Sequence, residues 1–143
     1  MLFNPILQIC VSFSNIRLME GDGKDQYTNS MATAIWAIDF TLECALLGFY
    51  DIHFDGRINK DNKQGFLNEG FEPQALYYAM IFNSLMMSGS PSIILPDVKA
   101  GTSSKIKIWG LKTIDKLSFV ILNKDTNPDL NGTIEIVAKS NSV

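Results

Sequence analysis

The 143-residue sequence has little of what marks a metal-binding, nucleic-acid-binding or membrane-spanning protein. It contains one histidine, His53, and two cysteines, with no CxxC motif and no cluster of metal ligands. The formal net charge is -3 and no basic run with interleaved aromatics occurs, so nothing attracts a phosphate backbone at long range. No stretch approaches the roughly 18 uninterrupted apolar residues that cross a bilayer. We therefore expect no metal, no nucleic-acid partner and no integral membrane segment.

The cysteines and the N-terminal segment indicate little about the compartment. Cys10 and Cys44 both stand among apolar neighbours, which favours two buried free thiols over a disulfide. The apolar opening at 1–13 has no basic n-region and no small-residue cleavage pattern, so we do not interpret it as a signal peptide. A glycosylation sequon at 131–133 lies in a predicted turn and is a minor indication of secretion.

The first part of the chain alternates predicted strands with predicted helices. Residues 15–20, ending at Glu20, are largely apolar and precede Gly-Asp-Gly, a pattern typical of a buried strand. N-cap residues at 28–30 begin an apolar helix that Gly48 ends. A second strand is predicted at 49–55, then an exposed polar loop at 57–72. Pro73 then stands as the first residue of a second helix, which stops before Ser88.

The periodicity changes near Ser88 to Pro91, where we place the boundary between two domains, 1–89 and 90–143. Beyond it, apolar and polar residues alternate, which predicts strands at 92–95, 105–111, 117–123 and 133–139, joined in an antiparallel sheet. The predicted fold class is therefore α/β plus all-β. Two βα units alone cover little apolar surface and leave strand edges unpaired, so they make a poor complete fold. A whole (β/α) barrel needs about 250 residues. We therefore expect the chain to be truncated at its N-terminal side or packed in a new way.

The helix after the first strand is the most distinctive segment. It reads Thr28-Asn-Ser-Met-Ala-Thr-Ala-Ile-Trp-Ala-Ile-Asp39. This resembles the Ser-Asp-Thr-Phe-Ala-Ser-Ala-Leu-Trp-Ala-Leu-Asp helix of glycoside hydrolase family 79, the heparanase and β-glucuronidase family. Residues 48–56 are similar to the family's last barrel strand, and 73–80 and 119–125 look like its final barrel helix and a sandwich strand. The resemblance implies the end of a TIM barrel, as strand-helix-strand-helix, followed by part of an antiparallel β-sandwich.

The resemblance also implies roles for three residues. Glu20 stands where the family carries its nucleophilic glutamate, and His53 and Asp55 stand at strand-end positions expected to bind substrate. The sequence departs from the family in having Gly-Asp-Gly after Glu20, and in having His53 and Asp55 where the family has Asn and His. The family acts on uronic-acid glycosides, needs no metal or organic cofactor, and is secreted or lysosomal. If the strands ending at Glu20 and Asp55 belong to a barrel, they should be parallel neighbours that open on one face.

Catalysis by retention requires two carboxyl groups about 5 to 5.5 Å apart, one as nucleophile and one as acid. The family's acid lies in an Asn-Glu motif on an earlier strand, and no such pair follows a buried strand here. Asn68-Glu69 occurs, but in the polar loop. We therefore interpret the chain as a fragment or degenerate member of a retaining β-glucuronidase or heparanase-like enzyme, inactive alone.

Each of these assignments has a structural alternative. Glu20 fits a surface carboxylate at a strand end, His53 a hydrogen-bonded structural imidazole, and Asp55 a cap of the following loop. Two further pairs have alternative roles. Trp36 and Trp109 could stack on a sugar or belong to the core. Asp39 and Glu43 are more typical of a polar stripe on a helix than of a metal-binding or acid pair.

Two other hypotheses compete for the whole chain. One is a non-catalytic module that binds carbohydrate or another protein. The other is a gene model that lacks an upstream barrel. Apolar helices without barrel neighbours also raise the expectation of self-association.

Overall fold

The computed structural model describes residues 12–16, 29–49, 51–55, 65–97, 105–125 and 135–137. Strand and helix alternate in the first four elements, and the last three are strands of an antiparallel sheet. The elements are β1 (Ser12–Ile16), α1 (Met31–Leu46), β2 (Asp51–Phe54), α2 (Ala75–Met86), β3 (Ser92–Ile94), β4 (Ile106–Lys112) and β5 (Leu117–Asn123). The predicted combination of α/β and antiparallel β structure is therefore present.

The first two strands form a parallel pair. Ser12 lies opposite Asp51 and Ile16 lies opposite Phe54, with an irregularity in the register between these points. The predicted parallel pairing with the second strand is thus confirmed. The strand begins earlier than the sequence indicates, at Ser12, and Glu20 lies outside the described residues.

Helix α1 begins and ends where the sequence predicts. Ser30 is the N-cap in an extended conformation, and Gly48 adopts a positive φ of 80° after the C-cap. The Gly48 N–H donates to the Ala45 carbonyl (3.1 Å) and the Phe49 N–H donates to the Cys44 carbonyl (2.9 Å). These two bonds form a Schellman motif, in which glycine adopts the left-handed conformation without a Cβ penalty.

Helix α2 begins later than predicted, so the assignment of Pro73 to the first helical position is wrong. The helix starts at Ala75 with Gln74 as its N-cap. Pro73 instead forms an isolated antiparallel bridge with Leu67, and the Ala75 N–H donates to the Asn29 side chain (2.9 Å). Proline tolerates this extended position because it has no N–H to satisfy.

The antiparallel sheet has the order β3-β4-β5, with β4 in the centre. Strand β4 pairs with β5 along its whole length, from Ile106 opposite Asn123 to Lys112 opposite Leu117. The fourth predicted strand, at 133–139, is wrong for its described part, because 135–137 belong to no strand. Alternation predicts which face a residue occupies, but a strand also needs a hydrogen-bonded neighbour.

Helix α1 lies between two apolar clusters. The sheet cluster joins Leu42 of α1 to residues of β4 and β5, namely Trp109, Leu111, Val120 and Leu122. The helix cluster joins α1 to α2 through small residues and one leucine, namely Ala34, Ala37, Ala79 and Leu76. The predicted boundary near Ser88 to Pro91 falls in the turn between α2 and β3, and the segments on its two sides pack together through the sheet cluster.

Candidate functional site

The predicted site lies where β1 and β2 end. Because the strands are parallel, their C-terminal ends share one edge, which is where barrel enzymes place functional side chains. Asp55 follows β2 directly. Glu20 comes shortly after β1 in sequence but lies outside the described residues, so the described part of the site is its β2 side.

The two faces of β2 differ in chemistry. Phe54 contacts α1, with its ring 5.9 Å from the Trp36 ring and 6.3 Å from the Phe40 ring in edge-to-face geometry. Asp51 and His53 alternate with it and are exposed, so they lie on the face away from this helix.

His53 is held by a carboxylate on its own strand. Its Nε2 lies 2.8 Å from Asp51 Oδ2, and the two side chains are 60% and 48% exposed. Asp51 also accepts a hydrogen bond from the Ile52 N–H (2.8 Å). When Nε2–H of a neutral imidazole donates to a carboxylate, Nδ1 is an acceptor that can bind a ligand hydroxyl, because the hydrogen bond of one ring nitrogen sets the role of the other.

Asp55 differs from Asp51 and His53 in its burial. Only 5% of the residue is exposed, although it follows the polar face of the strand. Burying a carboxylate costs free energy unless the group is hydrogen-bonded or paired. The enclosed position of Asp55 at the strand end therefore depends on its immediate surroundings. The structure therefore puts the two predicted substrate-binding residues, His53 and Asp55, at one strand end, one exposed and the other enclosed.

A second cluster of polar side chains joins α1 to the sheet. The sequence alone predicted no contacts between these residues. Asp39 Oδ1 accepts from Trp109 Nε1 (2.9 Å) and lies 3.1 Å from Lys107 Nζ. Asp39 Oδ2 lies 2.5 Å from Lys124 Nζ, and Lys107 also pairs with Glu43. We call these five residues the helix–sheet clasp. Asp39 and Glu43 are thus a polar stripe that faces sheet lysines.

The surroundings of the clasp favour the charged forms of Asp39 and Lys107. Burial raises the pKa of Asp39, but hydrogen bonds from Lys124, Lys107 and Trp109 outweigh it and hold the pKa below its ordinary value. Burial lowers the pKa of Lys107, but its bonds to Glu43 and Asp39 outweigh it and raise the pKa. Both groups therefore stay charged near neutral pH, as a structural ion-pair network requires.

Trp109 belongs to this network and not to a sugar-binding platform. The residue is fully buried, and the Lys107 ammonium lies 4.4 Å from its ring centroid. A buried indole whose N–H is bonded to Asp39 has no face to offer a sugar. The core interpretation of Trp109 is therefore correct. Trp36 is half-buried, stacks on Phe40 with ring centroids 5.7 Å apart and packs against the helix cluster.

The remaining sequence candidates are placed apart from the strand ends. Cys44 is a buried free thiol, and burial together with the charge of Glu43 raises its pKa, so it is a poor nucleophile. Glu69 lies exposed in the loop before α2, where its neighbour Asn68 bonds to Glu72. No group of three or more potential metal ligands occurs among the described residues.

Comparison with known proteins gives no further assignment. A scan against protein-family models, a search of curated proteins and a search of solved structures all found no match for this chain. Within the part of the chain that the structure describes, no helix is long and apolar enough to cross a membrane.

Proposed function

We propose that this chain is a part or a degenerate descendant of a retaining glycoside hydrolase of the family 79 type, and that it does not hydrolyse glycosides alone. The observation that carries this proposal is the parallel pairing of β1 with β2, each followed by a helix, with His53 exposed at the strand end away from α1. Strand-helix-strand-helix order with a parallel pair is the repeating unit of a (β/α) barrel.

The antiparallel sheet supports the sandwich part of the proposal. Its inner face packs on α1 through the sheet cluster. Its outer face is also apolar, because Ile94, Phe119 and Ile121 point away from that cluster and are half-buried or exposed. A sheet that is apolar on both faces fits a layered architecture in which a second layer covers the outer face, as in a β-sandwich.

The family's chemistry would then assign Glu20 as the nucleophile position, at the strand-end edge that β1 and β2 share. His53 and Asp55, from the neighbouring strand, would contact the sugar. The reaction of an intact relative would be hydrolysis of a uronic-acid glycoside with retention, through a glycosyl-enzyme at the nucleophile. It requires a second carboxyl group as acid, which the family carries in an Asn-Glu motif on an earlier strand.

Ligand titration observed by NMR tests the proposal. We expect methyl β-glucuronide to shift the His53 imidazole signals at millimolar concentration, and His53→Ala to abolish binding. Methyl β-glucoside, which lacks the carboxylate, is the matched ligand, and Lys116→Ala in the β4–β5 turn is the matched variant. Equal shifts with both sugars, or binding that survives in His53→Ala, would remove the assigned site.

A non-catalytic interaction module is the second candidate function, favoured by the exposed apolar side chains of α2. Tyr78 is 59% exposed and Leu85 is 70% exposed. If no sugar binds while the purified chain still melts cooperatively, the module is the better description.

A further inference from the structure

Helix α2 carries a continuous apolar surface on the side away from α1. Its inward side is formed by Leu76, Ala79 and Asn83, which are buried. Its outward side, which we call the α2 face, consists of five large exposed side chains: Tyr77 (37%), Tyr78 (59%), Ile81 (43%), Phe82 (37%) and Leu85 (70%). These side chains are exposed in the folded chain, and such a cluster on a single element marks an interaction site.

The α2 face lies in the longest uncharged stretch of the described chain. From Pro73 to Pro96 the sequence contains no Asp, Glu, Lys, Arg or His. Two copies of a chain with a formal net charge of -3 repel one another weakly, but they can meet at this surface without opposing any like charges. An anionic membrane is a poorer occupant, because there is no lysine or arginine to contact its headgroups.

Spacing and area also fit a helix pair. Tyr78, Phe82 and Leu85 follow one another at i, i+4 and i+7, the spacing of a seam between two packed helices. With aromatic side chains of about 150–250 Å² each, the fractional exposures leave on the order of 500 Å² of apolar surface per copy. Two copies would bury at most about 1,000 Å² in total, which lies in the range of weak interfaces and below the roughly 1,200–2,000 Å² of stable ones.

We propose that the α2 face is the contact between two copies of this chain, which associate as a two-fold symmetric dimer. In such an interface the same patch is used on both copies, so an uncharged and self-complementary helix face is sufficient. The small area makes the dimer weak and concentration-dependent. The interface uses none of the residues assigned to the sugar site, so sugar binding and association are tested by different variants and can fail separately.

Sedimentation equilibrium of the purified chain from low to high micromolar concentration tests the proposal. The average mass of the wild type should rise towards that of a dimer. Leu85→Glu should weaken the dimer about tenfold or more, because it buries a carboxylate without a partner. The matched control is Ile114→Glu, which adds the same charge at a fully exposed apolar position in the β4–β5 turn and should leave association unchanged.

Hydrogen exchange provides a second measurement. Amides of α2 should exchange more slowly as the wild-type concentration rises, and this dependence should disappear in Leu85→Glu while its thermal melt stays cooperative. A monomeric wild type throughout the range would overturn the proposal. So would a Leu85→Glu variant that dimerises as well as the wild type, or binding of the α2 face to neutral lipid vesicles in place of a second copy.

Discussion

Gly110 is the point where a single residue most tightly constrains the antiparallel sheet. A Cβ added there would lie 2.5 Å from Ile94 Cγ1 and 3.2 Å from the Ile94 carbonyl oxygen. Glycine therefore permits the close approach of β3 to β4, because a Cβ would have to displace the Ile94 side chain and press against its carbonyl oxygen.

We expect Gly110→Ala to lower the free energy of unfolding by about 1–3 kcal/mol, the usual effect of overpacking a buried position. Urea unfolding followed by circular dichroism measures it. Gly70→Ala is the control, because there a Cβ would meet only the side chains of Asn68 and Glu72. Equal effects in the two variants would show that the contact with Ile94 is not responsible.

Asn83 is a second residue whose identity conflicts with its surroundings. It is 6% exposed on the inward side of α2, and neither polar atom of its amide has a hydrogen-bond partner among the residues that the structure describes. Asn83→Leu, which keeps the branched shape of the side chain, should therefore raise the free energy of unfolding by about 1–3 kcal/mol by removing this desolvation cost. Ser84→Leu, at the exposed neighbouring position, should not. A destabilised Asn83→Leu would mean that the amide is bonded by another group.

At the scale of elements, the helix–sheet clasp sets the pH dependence of α1 docking on the sheet. The folded-state pKa of Asp39 is depressed, so its contribution to stability is present above the unfolded-state value of about 3.9 and is lost as pH falls through the folded-state value. We expect the wild type to lose stability progressively below about pH 4, within the range of ordinary carboxyl titration.

Asp39→Asn tests this assignment. At neutral pH it should lower the free energy of unfolding by about 1.5–3 kcal/mol, since Lys107 and Lys124 lose a charged acceptor. It should also reduce the loss of stability on acidification. Asp97→Asn, an exposed carboxylate beyond β3, is the control for the pH profile. If the profile of Asp39→Asn is as steep as that of the wild type, other carboxylates dominate acid unfolding.

The sequence predicted elements well where the signal is local. The caps of α1 and the limits of β5 follow from N-cap residues, from Gly48 and from alternation between turns. It failed where a distant contact decides the outcome. Pro73 was placed in a helix because proline favours first positions, but its pairing with Leu67 keeps it extended. The alternation at 133–139 does not make 135–137 a strand.

At the scale of the whole molecule, the sequence predicted the parallel neighbours but not the contact between α1 and the sheet. Asp39 and Glu43 are four residues apart on α1, and Lys107 and Trp109 are two apart on β4. These spacings place each pair on one face of its element. They do not predict that the face of α1 contacts the face of β4, because this contact is long-range in sequence. The strand end is similar: the sequence predicted a strand that contains His53, which lies in β2, and Asp55, which directly follows it, but only the structure distinguishes the exposed residue from the enclosed one.

The proposed function leads to a prediction of inactivity. We expect the purified chain not to hydrolyse aryl β-glucuronides measurably, and Glu20→Gln to leave this unchanged. A carboxylate can attack the anomeric carbon only if the leaving oxygen is protonated, and general-acid help is typically worth about 10²- to 10⁴-fold. Poor positioning of the substrate would add a further loss, which can reach about 7 to 11 kcal/mol.

A fluorogenic glucuronide, assayed with an active β-glucuronidase as the positive control, measures this. Turnover that disappears in Glu20→Gln would contradict the prediction, and it would mean that another carboxyl group acts as the acid. Asp55 would be the first to examine, because it is enclosed at the strand end. Asp55→Asn would then abolish turnover as well, whereas Glu69→Gln, in the exposed loop before α2, would not.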